Sequence, residues 1–116
     1  MHNFRELKIW NRSIDFVVTI YEIVKWFPAD ERYGLVSQLK RCSVSIPSNI
    51  SEGAGRSTNA QFKYFLEISM GSCNEAITQL ELSFKLKFIS QEQRDDLIDE
   101  ANQIYKMVLG FYNSLS

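Results

Sequence analysis

The sequence predicts an all-α protein, an up-down-up-down four-helix bundle that fills residues 1–116 as one domain. Three observations lead there. Apolar residues recur at spacings of three and four in four separate segments. No segment alternates apolar and polar residues with period two, which argues against a sheet. Hydrophobic residues make up 45% of 116 residues, enough for a core without disulfide or metal staples.

In the first segment Trp10, Ile14, Val17, Tyr21 and Val24 form one stripe, and Phe16, Ile20, Ile23 and Phe27 form a second. Two stripes imply a helix covered on more than one side. The expectation is that Trp10–Val24 faces the core and that the second stripe serves self-association. Pro28 ends the segment, and Asp30 is the expected N-cap of the next.

The second helix is predicted over about Glu31 to Ala54, with Leu35, Leu39, Cys42, Ile46, Asn49 and Gly53 on one face. Pro47 lies inside it. An interior proline removes a backbone hydrogen bond and costs ~3 kcal/mol, so the helix is expected to continue with a kink, or to restart from a Ser48 or Asn49 cap. The third runs from about Asn59 to Phe88, carried by Leu66, Met70, Cys73, Ile77, Leu80 and Phe84, with Gly71 as the expected point of close helix approach. The fourth starts after Ser90, with Gln93 placed to complete a capping box. Leu97, Ala101, Ile104, Val108, Phe111 and Leu115 give its core stripe; Ile98, Tyr105, Leu109 and Tyr112 give a second stripe for self-association.

Composition excludes several classes. Two Cys cannot build a disulfide scaffold, and one His cannot supply the Glu-x-x-His pairs of a di-iron bundle. His2 is expected to be a frayed surface residue. Cys42 and Cys73 fall on apolar positions without a His to activate them, so inert buried thiols are expected. Gly53-Ala-Gly55-Arg56-Ser57-Thr58 lacks the strand and the Gly-Lys-Ser/Thr end of a phosphate loop. Ser37-Gln-Leu-Lys40 has none of the partner motifs of a Ser-x-x-Lys enzyme. A non-catalytic protein without cofactor or metal is predicted. Charges through the first thirty residues speak against a secretory leader, and no apolar run suits a membrane span, so a cytoplasmic location is expected.

The net charge of −1 conceals an asymmetry. Residues 1–66 carry nine Lys and Arg against six Asp and Glu, whereas residues 67–116 carry four against eight. Such a chain suits a head-to-tail contact between subunits as well as contact with a polyanion. Arg41, Ser45, Asn49 and Glu52 share one face of the second helix. This polar stripe reads either as a buried seam, with Arg41 or Asn49 pairing Glu75 on the third helix, or as a ligand or nucleic-acid site. The seam is favoured.

The stretches Glu31-Arg-Tyr-Gly-Leu-Val-Ser-Gln-Leu-Lys-Arg41, Val44-Ser-Ile-Pro-Ser-Asn-Ile-Ser-Glu-Gly53, Phe65-Leu-Glu-Ile-Ser-Met-Gly-Ser72 and Phe4-Arg-Glu-Leu-Lys-Ile-Trp10 together resemble the four-helix bundle proteins encoded within ribosomal RNA intervening sequences. Members have been labelled ribosomal proteins. The family also includes the accessory protein of diversity-generating retroelements, a barrel-shaped homopentamer that binds nucleic acid and the reverse transcriptase. The resemblance implies a homopentamer, with RNA, DNA or a reverse transcriptase as partner, and the lack of an apolar span leaves no membrane association expected. It places Arg41, Ser45, Pro47, Asn49, Glu52 and Gly53 on signature positions and supplies no catalytic role. The retroelement members are strongly basic, and this chain is not. Lys8, Arg12, Lys40, Arg41, Arg56 and Lys63 are the candidate nucleic-acid contacts, expected to cluster once folded. The function expected is a homo-oligomeric interaction module that binds nucleic acid or a nucleic-acid enzyme. The alternative is a structural or regulatory oligomer with a protein partner and no nucleic acid.

Overall fold

The computed structural model describes residues 1–116. Four helices account for most of the chain: α1 (Lys8–Val24), α2 (Leu35–Ala54), α3 (Asn59–Lys85) and α4 (Gln91–Ser114). Short 3-10 turns span Phe4–Glu6 and Ala29–Glu31, and there is no strand. Each of α1 and α3 packs against both α2 and α4, while the diagonal pairs stay apart. The helices therefore stand in a square, and the short links make sequential neighbours antiparallel. The molecule measures 44 × 23 × 20 Å.

Local chemistry explains the boundaries. Ser90 and Gln93 form the expected reciprocal capping box at the start of α4. Thr58 caps α3 by accepting from the Gln61 N–H. The third helix stops three residues before Phe88, because Lys87 adopts a left-handed conformation (φ 67°) and the Phe88 N–H turns back to the Ser83 carbonyl. The start of α2 differs from expectation. Asp30 lies in the 3-10 turn, Gly34 precedes the helix, and the Glu31 carboxylate accepts the Leu35 N–H at 3.1 Å. Capping from Glu31 delays the helix by about one turn. The second helix runs unbroken through a buried Pro47, without a restart: the Asn49 side chain donates to Ser45 rather than capping a new turn.

The core is filled by Phe16, Ile20, Leu39, Ile46, Ile50, Phe62, Leu66, Leu80, Ile104 and Val108, all fully buried. The core stripes expected of α2, α3 and α4 lie mainly inside, but on the first segment the expected roles are largely exchanged. Val24 of the expected core stripe is buried as foreseen, and Ile23 of the second stripe is only half-buried. Phe16, Ile20 and Phe27 are buried with Ile9, Ser13 and Val24, while Trp10, Ile14 and Val17 are half-buried and Tyr21 is exposed. Both stripes are apolar, and burial of apolar area has no direction, so periodicity alone could not choose between them. Ser13 helps decide. It is small, and its hydroxyl is satisfied by the Trp10 carbonyl at 2.8 Å, so it fits inside.

The close approach also falls elsewhere than expected. A Cβ on Gly71 would meet nothing within 4 Å, whereas one on Gly53 would lie 2.7 Å from the Phe62 ring and 2.9 Å from the Phe65 Cβ. Gly53, not Gly71, is where α2 and α3 need a missing side chain. His2 is exposed, as expected, but it is not frayed. Its N–H donates to the Ala54 carbonyl at 2.9 Å, and its ring lies 5.0 Å from Phe62 and 5.8 Å from Phe111, so the N-terminus is tied across the end of the bundle.

The two glycines give a paired test. Gly53→Ala should lower stability by about 1–3 kcal/mol through overpacking. Gly71→Ala should raise it by up to ~1 kcal/mol, through helix propensity alone. Urea melts of both variants check the signs, and a loss at Gly71 would contradict the assignment.

Candidate functional site

The polar stripe divides into an inner and an outer part. Asn49 donates to the Ser45 carbonyl at 2.8 Å and to the Ser45 hydroxyl at 2.9 Å. The Ser72 hydroxyl of α3 donates to the Ser45 Oγ at 2.8 Å, and the Ser69 hydroxyl donates to the Ile46 carbonyl at 2.7 Å. No buried side-chain nitrogen or oxygen is left without a partner. The charged members lie outside this network. Arg41 is exposed and donates to Gln38, Glu52 is exposed and pairs with Arg56, and Glu75 is exposed without an ion-pair partner. Neither Arg41 nor Asn49 makes the pair with Glu75 that the seam reading expected. Serine hydroxyls already satisfy the α2–α3 interface, and burying two charges there would cost several kcal/mol of desolvation. A polar contact does join α2 and α3, but it is made by the Ser45, Ser69 and Ser72 hydroxyls with the Asn49 amide, not by the charged pair expected.

The candidate basic contacts are dispersed. Lys8 is exposed on the first turn of α1. Arg12 is held by Glu100 of α4 through two contacts, at 2.7 and 2.9 Å, and this carboxylate raises the pKa of its guanidinium. Arg56 pairs with Glu52 and lies 4.7 Å from the Phe65 ring centroid. Lys63 lies 4.8 Å from the ring centroid of Tyr112, whose hydroxyl donates to Glu67 at 2.8 Å. That carboxylate raises the Tyr112 pKa. Arg12, Arg56 and Lys63 each engage a different partner.

Lys40 and Arg41 do meet. They share an open groove of about 500 Å³ with Tyr21, Arg32, Tyr33 and Ser37. The Lys40 ammonium lies 4.8 Å from the Tyr21 ring centroid, and the Arg32 guanidinium lies 5.4 Å from that of Tyr33. No carboxylate lines the groove. Glu31, next to Arg32 in sequence, is engaged by the Leu35 N–H. Two residues of this groove, Arg32 and Tyr33, were not anticipated: the sequence places them in the first turn of a helix starting at Glu31, whereas they sit in the α1–α2 connection ahead of Leu35. An Arg-Tyr pair immediately before a helix-starting glycine, seven to nine residues ahead of Lys40 and Arg41, was the available signal.

A second groove of about 340 Å³ lies between α1 and α4, with Phe16, Ile23 and Leu97 in its wall and Asp15, Asp96 and Glu100 around them. A third, of about 440 Å³, runs between α1 and α2 and is lined mainly by Phe4, Trp10, Ile14, Val17, Val18 and Val44. No three potential metal ligands converge anywhere. No helix is long and apolar enough to cross a membrane.

The buried thiols are poor nucleophiles. Burial, with Glu75 nearby, pushes Cys42 up to about 11, and burial next to Cys42 pushes Cys73 up to about 12. Cys42 also donates to the Gln79 side-chain Oε1 at 3.2 Å.

These features define a four-helix bundle protein that carries separate basic and acidic grooves on its outer surface. The chain belongs to the 23S rRNA-intervening sequence protein family, whose model matches residues 5–110. Its fold is similar to the 1.70 Å crystal structure of a protein of unknown function from the S23 ribosomal protein family of Bacteroides thetaiotaomicron VPI-5482. The two superpose with a TM-score of 0.84 at 24% identity, over 90% of this chain and 95% of that one. No curated protein matches the chain.

Two tests follow. Arg41→Ala should leave stability within about 0.5 kcal/mol of the parent, because it removes a surface contact. Ser69→Ala should cost about 1 kcal/mol for a lost buried hydrogen bond. Urea melts of the two variants read both values, and a larger loss at Arg41 would restore the charged seam. The thiols set a pH dependence. An unfolded thiol deprotonates near ~8.5, so above that pH the folded chain holds more protons than the unfolded one. The thiol contribution is therefore complete below about pH 8.5 and is lost as pH rises towards the folded values. The urea midpoint should fall between pH 8 and 10, and less steeply in a Cys42→Ala, Cys73→Ala double variant.

Proposed function

We propose that this chain is a non-catalytic, homo-oligomeric module that binds nucleic acid. The observation that carries the reading is the carboxylate-free groove in which Arg32, Lys40 and Arg41 stand beside Tyr21 and Tyr33. Cations supply the attraction to phosphates, and a net charge of −1 keeps that attraction local. A homopentamer is the assembly implied by the family resemblance. Self-association is supported by the apolar furrow between α1 and α2, where Val18 remains 56% exposed. Apolar surface of this kind marks contact sites. The acidic α1–α4 groove offers a complementary surface for a heterologous contact, the kind that closes into rings. A nucleic-acid enzyme such as a reverse transcriptase would be recruited to the assembled ring.

The second reading is a structural or regulatory oligomer with a protein partner and no nucleic acid; the apolar furrow favours it equally. Gel shifts in rising salt separate the two. If the module reading holds, a shift appears at low salt and weakens steeply, and Lys40→Ala with Arg41→Ala reduces it. No shift at the lowest salt rejects nucleic-acid binding. Light scattering at micromolar concentration should give an oligomer that Val18→Asp weakens, and a monomeric parent rejects the assembly.

A further inference from the structure

The groove of Arg32, Lys40 and Arg41 contains more than charge. Tyr33 is 86% exposed, although its ring is as large an apolar surface as many core side chains. It stands at the end of the α1–α2 connection, immediately before Gly34, with the Arg32 guanidinium 5.4 Å from its centroid. Tyr21 lies on the groove wall with the Lys40 ammonium 4.8 Å from its centroid. The groove thus sets two ring–cation pairs side by side, with Arg41 as a third cation.

A duplex would use the cations and leave the rings idle, since its base faces are stacked against one another and only its phosphates and groove edges are presented. An unpaired strand offers both chemistries together: phosphates for Arg32, Lys40 and Arg41, and a base face for the Tyr33 ring. Every base has such a face, so stacking tolerates any sequence. The guanidinium beside Tyr33 is itself planar and can stack with the base or hold its phosphate.

We propose that this groove binds single-stranded nucleic acid, with Tyr33 as the stacking platform for an unpaired base and Arg32, Lys40 and Arg41 as the phosphate contacts. The inference rests on the nucleic-acid reading above and deepens it. Tyr21 supports Lys40, and the exposed Tyr33 ring carries the discrimination between unpaired and paired strands. RNA and DNA offer the same base face and phosphate, so one set of residues serves both.

The test is fluorescence anisotropy with labelled 20-nucleotide oligo-U and oligo-dT, beside RNA and DNA duplexes of 20 base pairs, all at about 50 mM salt with the full-length protein. Both single strands should bind about tenfold more tightly than the duplexes. Tyr33→Ala should weaken single-strand binding about tenfold, the loss of one base stack, and leave duplex binding unchanged. Tyr33→Phe should restore it, because the ring stacks without the hydroxyl. Three phosphate contacts give a salt slope of about −2 for a single strand, and Arg32→Ala should reduce that slope.

The failures are distinguishable. If duplexes bind as tightly as single strands, or if Tyr33→Ala binds oligo-U and oligo-dT like the parent, the stacking inference is overturned while nucleic-acid binding stands. If none of the four ligands binds, the nucleic-acid reading falls and takes the inference with it.

Discussion

The contact between α2 and α3 constrains the rest of the bundle. Gly53 has no room for a Cβ, and Ser69 and Ser72 reach across to Ile46 and Ser45. Small side chains let two helices approach, but they also bring backbone polar groups into an apolar interior, where an unpaired group costs about 1–3 kcal/mol. The serine hydroxyls resolve that conflict by bonding in the same place where they permit the approach. With α2 held there, Phe62 sits over Gly53 and becomes the floor on which the His2 and Phe111 rings rest. The position of the N-terminal segment thus follows from a glycine fifty residues away.

Pinning α2 by its inner face also determines what its outer face presents. Leu39, Cys42, Ile46 and Ile50 are buried, which turns Lys40 and Arg41 towards α1 and the α1–α2 connection. The first helix is then used on two sides. Phe16 and Ile20 complete the core, while Trp10, Ile14 and Val17 line an open furrow. A helix with two apolar faces gains only part of its hydrophobic stabilisation within one chain, at roughly 25 cal/mol per Å² of apolar area removed from water. The remainder is left for another surface to cover.

The number of helices, the start of α4 and the core stripes of α2, α3 and α4 were legible in the sequence, because they depend on short-range periodicity and on caps such as Ser90 with Gln93. The choice between the two stripes of α1 was not, since it depends on what α4 and α2 present to it. The site was harder to read for the same reason. Arg12 looked available until Glu100, 88 residues away, was seen to hold it. Arg41 looked buried because it shares a helix face with Ser45 and Asn49. A long side chain can start at that face and still end in water, where its charge keeps its hydration. Arg32 and Tyr33 belong to no helical face, so no periodicity could select them.

Net charge is the wrong quantity for judging whether such a surface meets a polyanion. Screening limits each charge to a neighbourhood of about 8 Å at physiological ionic strength, so a strand in the groove responds to Arg32, Lys40 and Arg41 and hardly to distant carboxylates. Those carboxylates still have a physical consequence. Asp15, Asp96 and Glu100 line the α1–α4 groove, a separate surface from the basic one. Glu100 is engaged by Arg12, so Asp15 and Asp96 are the charges that, in the proposed module, would repel a straying strand and face the basic groove of a second copy. A uniformly basic bundle would coat itself in nucleic acid and repel its own copies. Under the proposed function, segregated charges would let one near-neutral chain confine a strand to one face and still meet a second copy of itself.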